Sequence, residues 1–229
     1  MSSTLLAIET STPACSAALS VDGEVIERYA LAPRQHAALM LPMIESLLLE
    51  AGLTVGQLDA IAFGRGPGSF TGVRIAASMV QGIAFAAGLP VVPVSTLAAL
   101  ALGGMREATL PRMMAAMDAR KSEVYWGCYT QTDGDVVTLQ GSECVCSPDN
   151  VPQPGQQDWV GVGRGWDVYG EQLMQRLGER VVRLLPDLEP RAADVARLGM
   201  HAFHEGVSLS AEEAVPVYLR NNVALVKRS

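Results

Sequence analysis

The residues with most chemical promise lie in two short segments near the N-terminus. Ile8-Glu9-Thr10-Ser11 places a carboxylate at a strand end, ahead of a run of hydroxyls that could contact phosphate. Further on, Gly64-Arg65-Gly66-Pro67-Gly68-Ser69-Phe70-Thr71-Gly72-Val73-Arg74 puts three glycines within five residues, between a strand and a helix. Such a loop lets backbone approach a ligand or another chain closely, and the helix N-terminus behind it favours an anion. Gly66, Gly68, Ser69, Thr71 and Arg74 are therefore candidate anion or nucleotide contacts, and a purely structural turn with a helix cap stands equally open. The loop is not a Walker cradle, which requires Lys after its last glycine where Val73 follows Gly72. Nor does it complete Gly-x-Gly-x-x-Gly, because Ser69 and Thr71 occupy the closing positions. As a nucleophile Ser69 would need a base, and nothing in the sequence directs His36, His201 or His204 to it.

Metal chemistry has less to work with. His201 and His204 share a helical face, but no third ligand stands beside them, so they read as surface histidines and no metal site is expected. Of the four cysteines, Cys15, Cys128, Cys144 and Cys146, only the last two are close, and all four are expected to be reduced thiols.

The elements that must position these groups fall into two similar series. Strands are predicted at 4–9, 14–20 and 24–31, then a helix over 35–51 ending at Gly52, a strand at 59–64, a helix over 71–87, a strand at 91–94 and a helix to about 102. Gly103-Gly104 is taken as a hinge. The order then recurs with strands at 112–118, 123–130 and 136–144, a Pro/Gln-rich loop over 147–157 in place of the long helix, and strand, helix, strand and helix at 159–162, 167–177, 181–184 and 191–204. Two α/β units follow, at 1–103 and 104–215, the second trimmed, with 216–229 expected to pack back on the first.

Both long helices are more apolar than one buried face requires. Their second faces are read as a partner surface, with Met40, Met43, Leu47, Ile75, Met79, Gly82 and Ala86 as its contacts, the alternative being that both are deep core helices. The 229 residues carry a net charge of −7, with no basic cluster beyond Lys227-Arg228, so tight unaided nucleic-acid binding is disfavoured. No apolar run approaches the roughly 18 residues that span a bilayer, and no basic leader precedes the first strand, so a cytoplasmic protein without a membrane partner is expected.

Leu6-Ala7-Ile8-Glu9-Thr10-Ser11-Thr12, the glycine loop through Arg74, Asp118-Ala119-Arg120-Lys121-Ser122-Glu123-Val124-Tyr125 and Pro216-Val217-Tyr218-Leu219-Arg220 together resemble the TsaB (YeaZ) family, in order along the whole chain. The resemblance implies two ribonuclease-H-like domains of the acetate and sugar kinase, Hsp70 and actin superfamily. It also implies membership of the complex that forms N6-threonylcarbamoyladenosine at position 37 of tRNAs reading codons that begin with A. The implied partners are the catalytic paralogue TsaD, the ATPase TsaE and a second copy of the chain, with tRNA reached only through the complex. TsaC supplies threonylcarbamoyl-adenylate, and ATP or ADP and a metal would belong to the partner subunits. In TsaD-like proteins a Val-His-His-x-x-x-His run holds the metal. Here the corresponding Val94-Ser95-Thr96-Leu97-Ala98-Ala99-Leu100 has no imidazole, so the expectation is an accessory subunit with no catalytic residues and no cofactor of its own. The competing expectation is an enzyme. An ATP-dependent phosphotransferase would want an Asp-Gly phosphate loop in both halves, and Asp118-Ala119-Arg120 lacks the glycine; a protease acting on TsaD would want the missing base for Ser69.

Overall fold

A computed structural model describes residues 3–134 and 136–220, with the side chain of residue 133 left aside. β1 (Thr4–Glu9) is apolar on both faces because it is central to its sheet. It pairs antiparallel with β2 (Ala14–Val21), which turns through Asp22 and Gly23, both at positive φ, into β3 (Glu24–Leu31). α1 (His36–Ala51) stops where Gly52 adopts φ 65°, a left-handed cap that glycine supplies without steric cost. β4 (Ala60–Gly64), α2 (Phe70–Ala87), β5 (Val91–Val94) and α3 (Thr96–Ala108) follow. β4 and β5 add in parallel, giving the order β3-β2-β1-β4-β5.

The second series repeats this topology. β6 (Arg112–Asp118), β7 (Val124–Asp133) and β8 (Val136–Cys146) form the antiparallel meander. β9 (Trp159–Val162), α4 (Gly165–Leu177) and β10 (Val181–Leu185) complete the order β10-β9-β6-β7-β8. The last helix is α5 (Ala192–His204). The resulting α/β fold has two mixed sheets. α1 and α2 cover one face of the first sheet and α5 its other face, while α3 and α4 pack on opposite faces of the second.

Two expectations change. Gly103-Gly104 is no hinge: α3 runs straight through it to Ala108. A Cβ at Gly104 would come within 2.6 Å of Val162, and one at Gly103 within 2.9 Å of the Asp194 carboxylate, so both glycines serve close packing of α3. Helix α5, although it follows the second sheet in sequence and falls inside 104–215, docks on the first. Its leading amides are accepted by the Ser16 hydroxyl at 2.8 Å and by Glu27 Oε1 at 3.0 Å, and Arg191 forks onto Glu27. Leu209 then bridges to Val91. Asp194, buried on α5, faces Arg106 of α3 at 2.8 Å and thereby fastens the two series together.

α2 has 18 residues of mean hydropathy 1.3 and meets the length and composition of a membrane span. One face, with Val73, Ala76, Ala77, Val80 and Ala84, is seated in the core of the first sheet, the arrangement of a helix packed on its own domain.

Candidate functional site

Every glycine in the loop after β4 makes room for this chain's own atoms. A Cβ at Gly64 would stand 1.9 Å from Glu9 Oε2, one at Gly68 would stand 2.5 Å from the Ser11 Cβ, and one at Gly72 would stand 2.0 Å from the Thr10 carbonyl oxygen. Gly66, at φ 98°, leaves 3.1 Å between such an atom and the Val217 carbonyl. Hydrogen bonds lock the contact: Ser69 N–H donates to Ser11 O at 2.7 Å, Thr10 Oγ1 to Gly72 O at 2.8 Å and Val217 N–H to Arg65 O at 2.8 Å. At Gly68 the close neighbour is Ser11, and at Gly66 it is the Val217 carbonyl. The closing segment 216–220 lies across this loop, and the rest of 216–229 falls outside the described residues.

Glu9 is likewise turned inward. Its carboxylate accepts the Ser11 N–H at 2.6 Å and the Thr96 hydroxyl at 3.2 Å and is 1% exposed. Burial pushes its pKa up, with the hydrogen bonds from Ser11 and Thr96 opposing.

Ser69 caps α2 by accepting the Gly72 N–H, and the His36 ring nitrogen lies 3.2 Å from the Ala14 carbonyl oxygen. Among the described residues, no three His, Cys, Asp or Glu side chains converge as metal ligands. The run Val94–Leu100 is put to structural use: Ser95 caps α3 and donates to Glu143, while Leu97 and Leu100 are core. Glu143, on β8, also accepts the Tyr129 hydroxyl at 2.6 Å and faces Arg65 at 3.7 Å. Burial, then the charge of Glu143, holds the Tyr129 phenol well above its ordinary pKa. This knot ties the first series to the second.

Thr71 and Arg74 do meet solvent. They line an open groove of about 420 Å³ between α1 and α2, together with Ala37, Phe70, Ile75 and Met79. The Arg74 guanidinium lies 3.6 Å from the Phe70 ring centroid, and its Nε–H donates to the Tyr218 hydroxyl at 2.9 Å. Beyond this groove, Leu41 and Leu49 on α1 and Phe85 on α2 are exposed by 49%, 84% and 72%.

The partner contacts expected from the helical pattern divide across this surface. Gly82 and Ala86 are exposed, and Ile75 and Met79 are half-buried in the groove, whereas Met43 is half-buried against the core of the first sheet. Met40 and Leu47 are 0% exposed and packed between α1 and the sheet, so they are core and not surface. A wide apolar arc cannot by itself say which stripe faces the sheet. Exposed aromatic residues that the helical pattern did not single out are Phe70, Phe85 and Tyr218. Phe85 follows Gly82 by three residues and so shares its helical face, a signal within reach of the same helical plot. Tyr218 arrives from across the chain and gives no local sign.

The whole-chain comparisons bear on this geometry. The model of the family described as TsaD, tRNA N6-adenosine threonylcarbamoyltransferase, matches residues 28–228. The tRNA threonylcarbamoyladenosine biosynthesis protein TsaB of Escherichia coli is 42% identical, over 97% of this chain and 97% of its own length. The chain belongs to the TsaB family. The Haemophilus influenzae TsaB is 40% identical over 98% of this chain and 96% of its own. The solved structure of YeaZ from Pseudomonas aeruginosa is 50% identical and superposes with a TM-score of 0.89, covering 95% of this chain and all of that one. The order of strands and helices is thus that of a TsaB-family protein.

Proposed function

We propose that this chain is a non-catalytic scaffold and activator for N6-threonylcarbamoyladenosine formation at position 37 of tRNAs reading codons that begin with A, working by binding the catalytic paralogue TsaD. The observation that carries this reading is the exposed apolar surface of α1 and α2, with Phe85, Leu49 and Leu41 in solvent beside the Phe70-Arg74-Tyr218 groove. An uncovered patch of this kind marks a site of association. A paralogue offers a matching helix pair, so TsaD and a second copy of this chain compete for the surface, and the chain alone is a homodimer. The carboxylate and glycines that could have served a nucleotide are occupied by the chain itself, which supports an accessory role. ATP or ADP, a metal and the adenylate then belong to TsaD, TsaE and TsaC, and tRNA is held through the complex in the cytoplasm. The two repeated sheets are read as ribonuclease-H-like domains of the actin and sugar-kinase type, the second reduced by the loss of its α1 counterpart.

The test is Met79→Lys. Met79 lies half-buried at the groove floor, so a charge there is trapped when a partner closes over it. The cost is several kcal/mol, about two to three decades of affinity. Co-purification with TsaD and reconstituted modification with TsaC, TsaD and TsaE should both fail while the monomer stays folded. Wild-type binding and modification by the variant would place the partner elsewhere.

A further inference from the structure

Three of the four cysteines share the β7–β8 ribbon, and two of them stand apart from the rest. Cys144 and Cys146 are two residues apart on β8, so both side chains leave the same face of the strand, and their sulfurs lie 3.8 Å from each other. Both are half-exposed, whereas Cys15 and Cys128 are buried. Among the described residues β8 is an edge strand of its sheet, with no neighbour on its outer side. It is already bent: between the pairs Cys128↔Gln140 and Trp126↔Cys144 the register shifts, and Gly141 adopts φ 84°. We propose that Cys144 and Cys146 are a redox-active dithiol, which exchanges with a small disulfide such as oxidised glutathione to form a reversible bridge within β8.

The sulfurs have distinct roles. Either thiol can donate to the other across 3.8 Å; with Cys146 as the donor, the hydrogen bond lowers the Cys144 pKa and raises that of Cys146, and we assign that arrangement. Cys144 is therefore the attacking thiolate. It displaces one glutathione thiolate and forms a mixed disulfide. Cys146 then gives up its proton and attacks the Cys144 sulfur, releasing the second glutathione. The two cysteines lose two electrons and two protons, and the small disulfide gains them as two thiols. Burial pushes the Cys128 thiol up to about 12, so it takes no part. Alternate residues of an extended strand have Cα atoms about 6.6–6.8 Å apart, at the upper end of what a disulfide spans. The bridge must draw the strand together, which the open edge and the adjacent bulge allow. A bridge under such constraint is readily reduced.

The experiment incubates the full-length chain with mixtures of oxidised and reduced glutathione, quenches with acid, alkylates the free thiols and maps the products by intact mass and peptide analysis. The expected product has lost two hydrogens, keeps two alkylatable thiols, carries a Cys144–Cys146 link within one chain and reverts fully with reduced glutathione. Tryptophan emission should change in step, because Trp126 sits directly across the ladder from Cys144. In Cys146→Ser the mixed disulfide cannot be resolved, so one glutathione should remain on Cys144. In Cys144→Ser no bridge should form. Four free thiols throughout the series, a link or adduct on Cys15 or Cys128, or a bridge only between chains would each overturn the proposal. The wild-type mapping decides the matter even if a serine variant folds poorly.

Discussion

Phe85→Ala separates the proposed docking surface from the fold. The ring is 72% exposed and stands on the outer side of α2 beside the exposed Gly82, so removing it takes little from the core. Stability should change by no more than about 0.5 kcal/mol. In a complex the exposed part of the ring is what a partner would cover. Full burial of a phenylalanine side chain is worth about 1.5–3 kcal/mol, so the fraction still in solvent corresponds to about 1–2 kcal/mol. TsaD affinity should therefore weaken by roughly 5- to 30-fold, and self-association should weaken with it. Calorimetry with TsaD gives the first quantity and sedimentation the second. Reconstituted tRNA modification adds a diagnostic: a scaffold variant recovers full activity when its concentration is raised above the weakened Kd, whereas loss of a catalytic group does not. Met40→Ala is the contrasting control, since Met40 is 0% exposed beneath the same helix and its loss should cost about 2–5 kcal/mol of folding stability. If Phe85→Ala binds TsaD and itself with wild-type affinity, the exposed face of α2 is not the interface.

Gly72→Ala should be among the most damaging single changes, because its Cβ would stand 2.0 Å from the Thr10 carbonyl and the obstacle is backbone; thermal unfolding should show a loss above about 3 kcal/mol, and a wild-type melting temperature would refute the close-packing account. Glu9→Gln tests the buried carboxyl. Its pKa in the folded chain is raised above 4.5, so the native state resists ionisation, and the stability Glu9 contributes is fully present below that value and lost as pH rises through the raised one. Denaturant midpoints should therefore favour the glutamine variant increasingly as pH climbs from about 4, and parallel curves would contradict this. Given the net charge of −7, the chain alone should bind tRNA only in the non-specific range of roughly 10⁻⁴ to 10⁻⁶ M at physiological salt, and nanomolar retention in a filter assay without TsaD would overturn that expectation.

Strand and helix order was legible because each element carries a local sign. β5 and β9 are short apolar runs between turn residues, and α1 and α2 end at Gly52 and Gly88, both left-handed caps. What could not be read locally is where distant pieces meet. Gly103 and Gly104 look like a break until Val162 and Asp194 are seen to press on them from other elements. Helix α5 shows an amphipathic pattern that any sheet could satisfy, and its destination is chosen by Ser16 and Glu27, more than 160 residues away. The same limit explains Met40 and Leu47: two adjoining apolar stripes on α1 are equivalent in sequence, and only the sheet beneath decides which is core.

The glycine loop shows how one pattern can signal both chemistry and its absence. Three glycines after a strand are what a phosphate site needs, yet here Glu9, Thr10, Ser11 and Val217 fill the space that missing side chains leave. The Ser69–Ser11, Val217–Arg65 and Thr10–Gly72 hydrogen bonds fasten the loop to β1 and to the segment at Val217. Each is worth about 0.5–1.5 kcal/mol net, and leaving the buried partners unpaired would add to that sum. The run Val94–Leu100 has been turned to the same purpose, with Ser95 capping a helix and meeting Glu143 from the other sheet. Thr71, Arg74 and the apolar faces of α1 and α2 are left facing outward. Glu9, Ser11, Ser95 and Val217 join parts of this chain to one another, while Phe70, Arg74 and Phe85 face solvent on the surface proposed above for a protein partner.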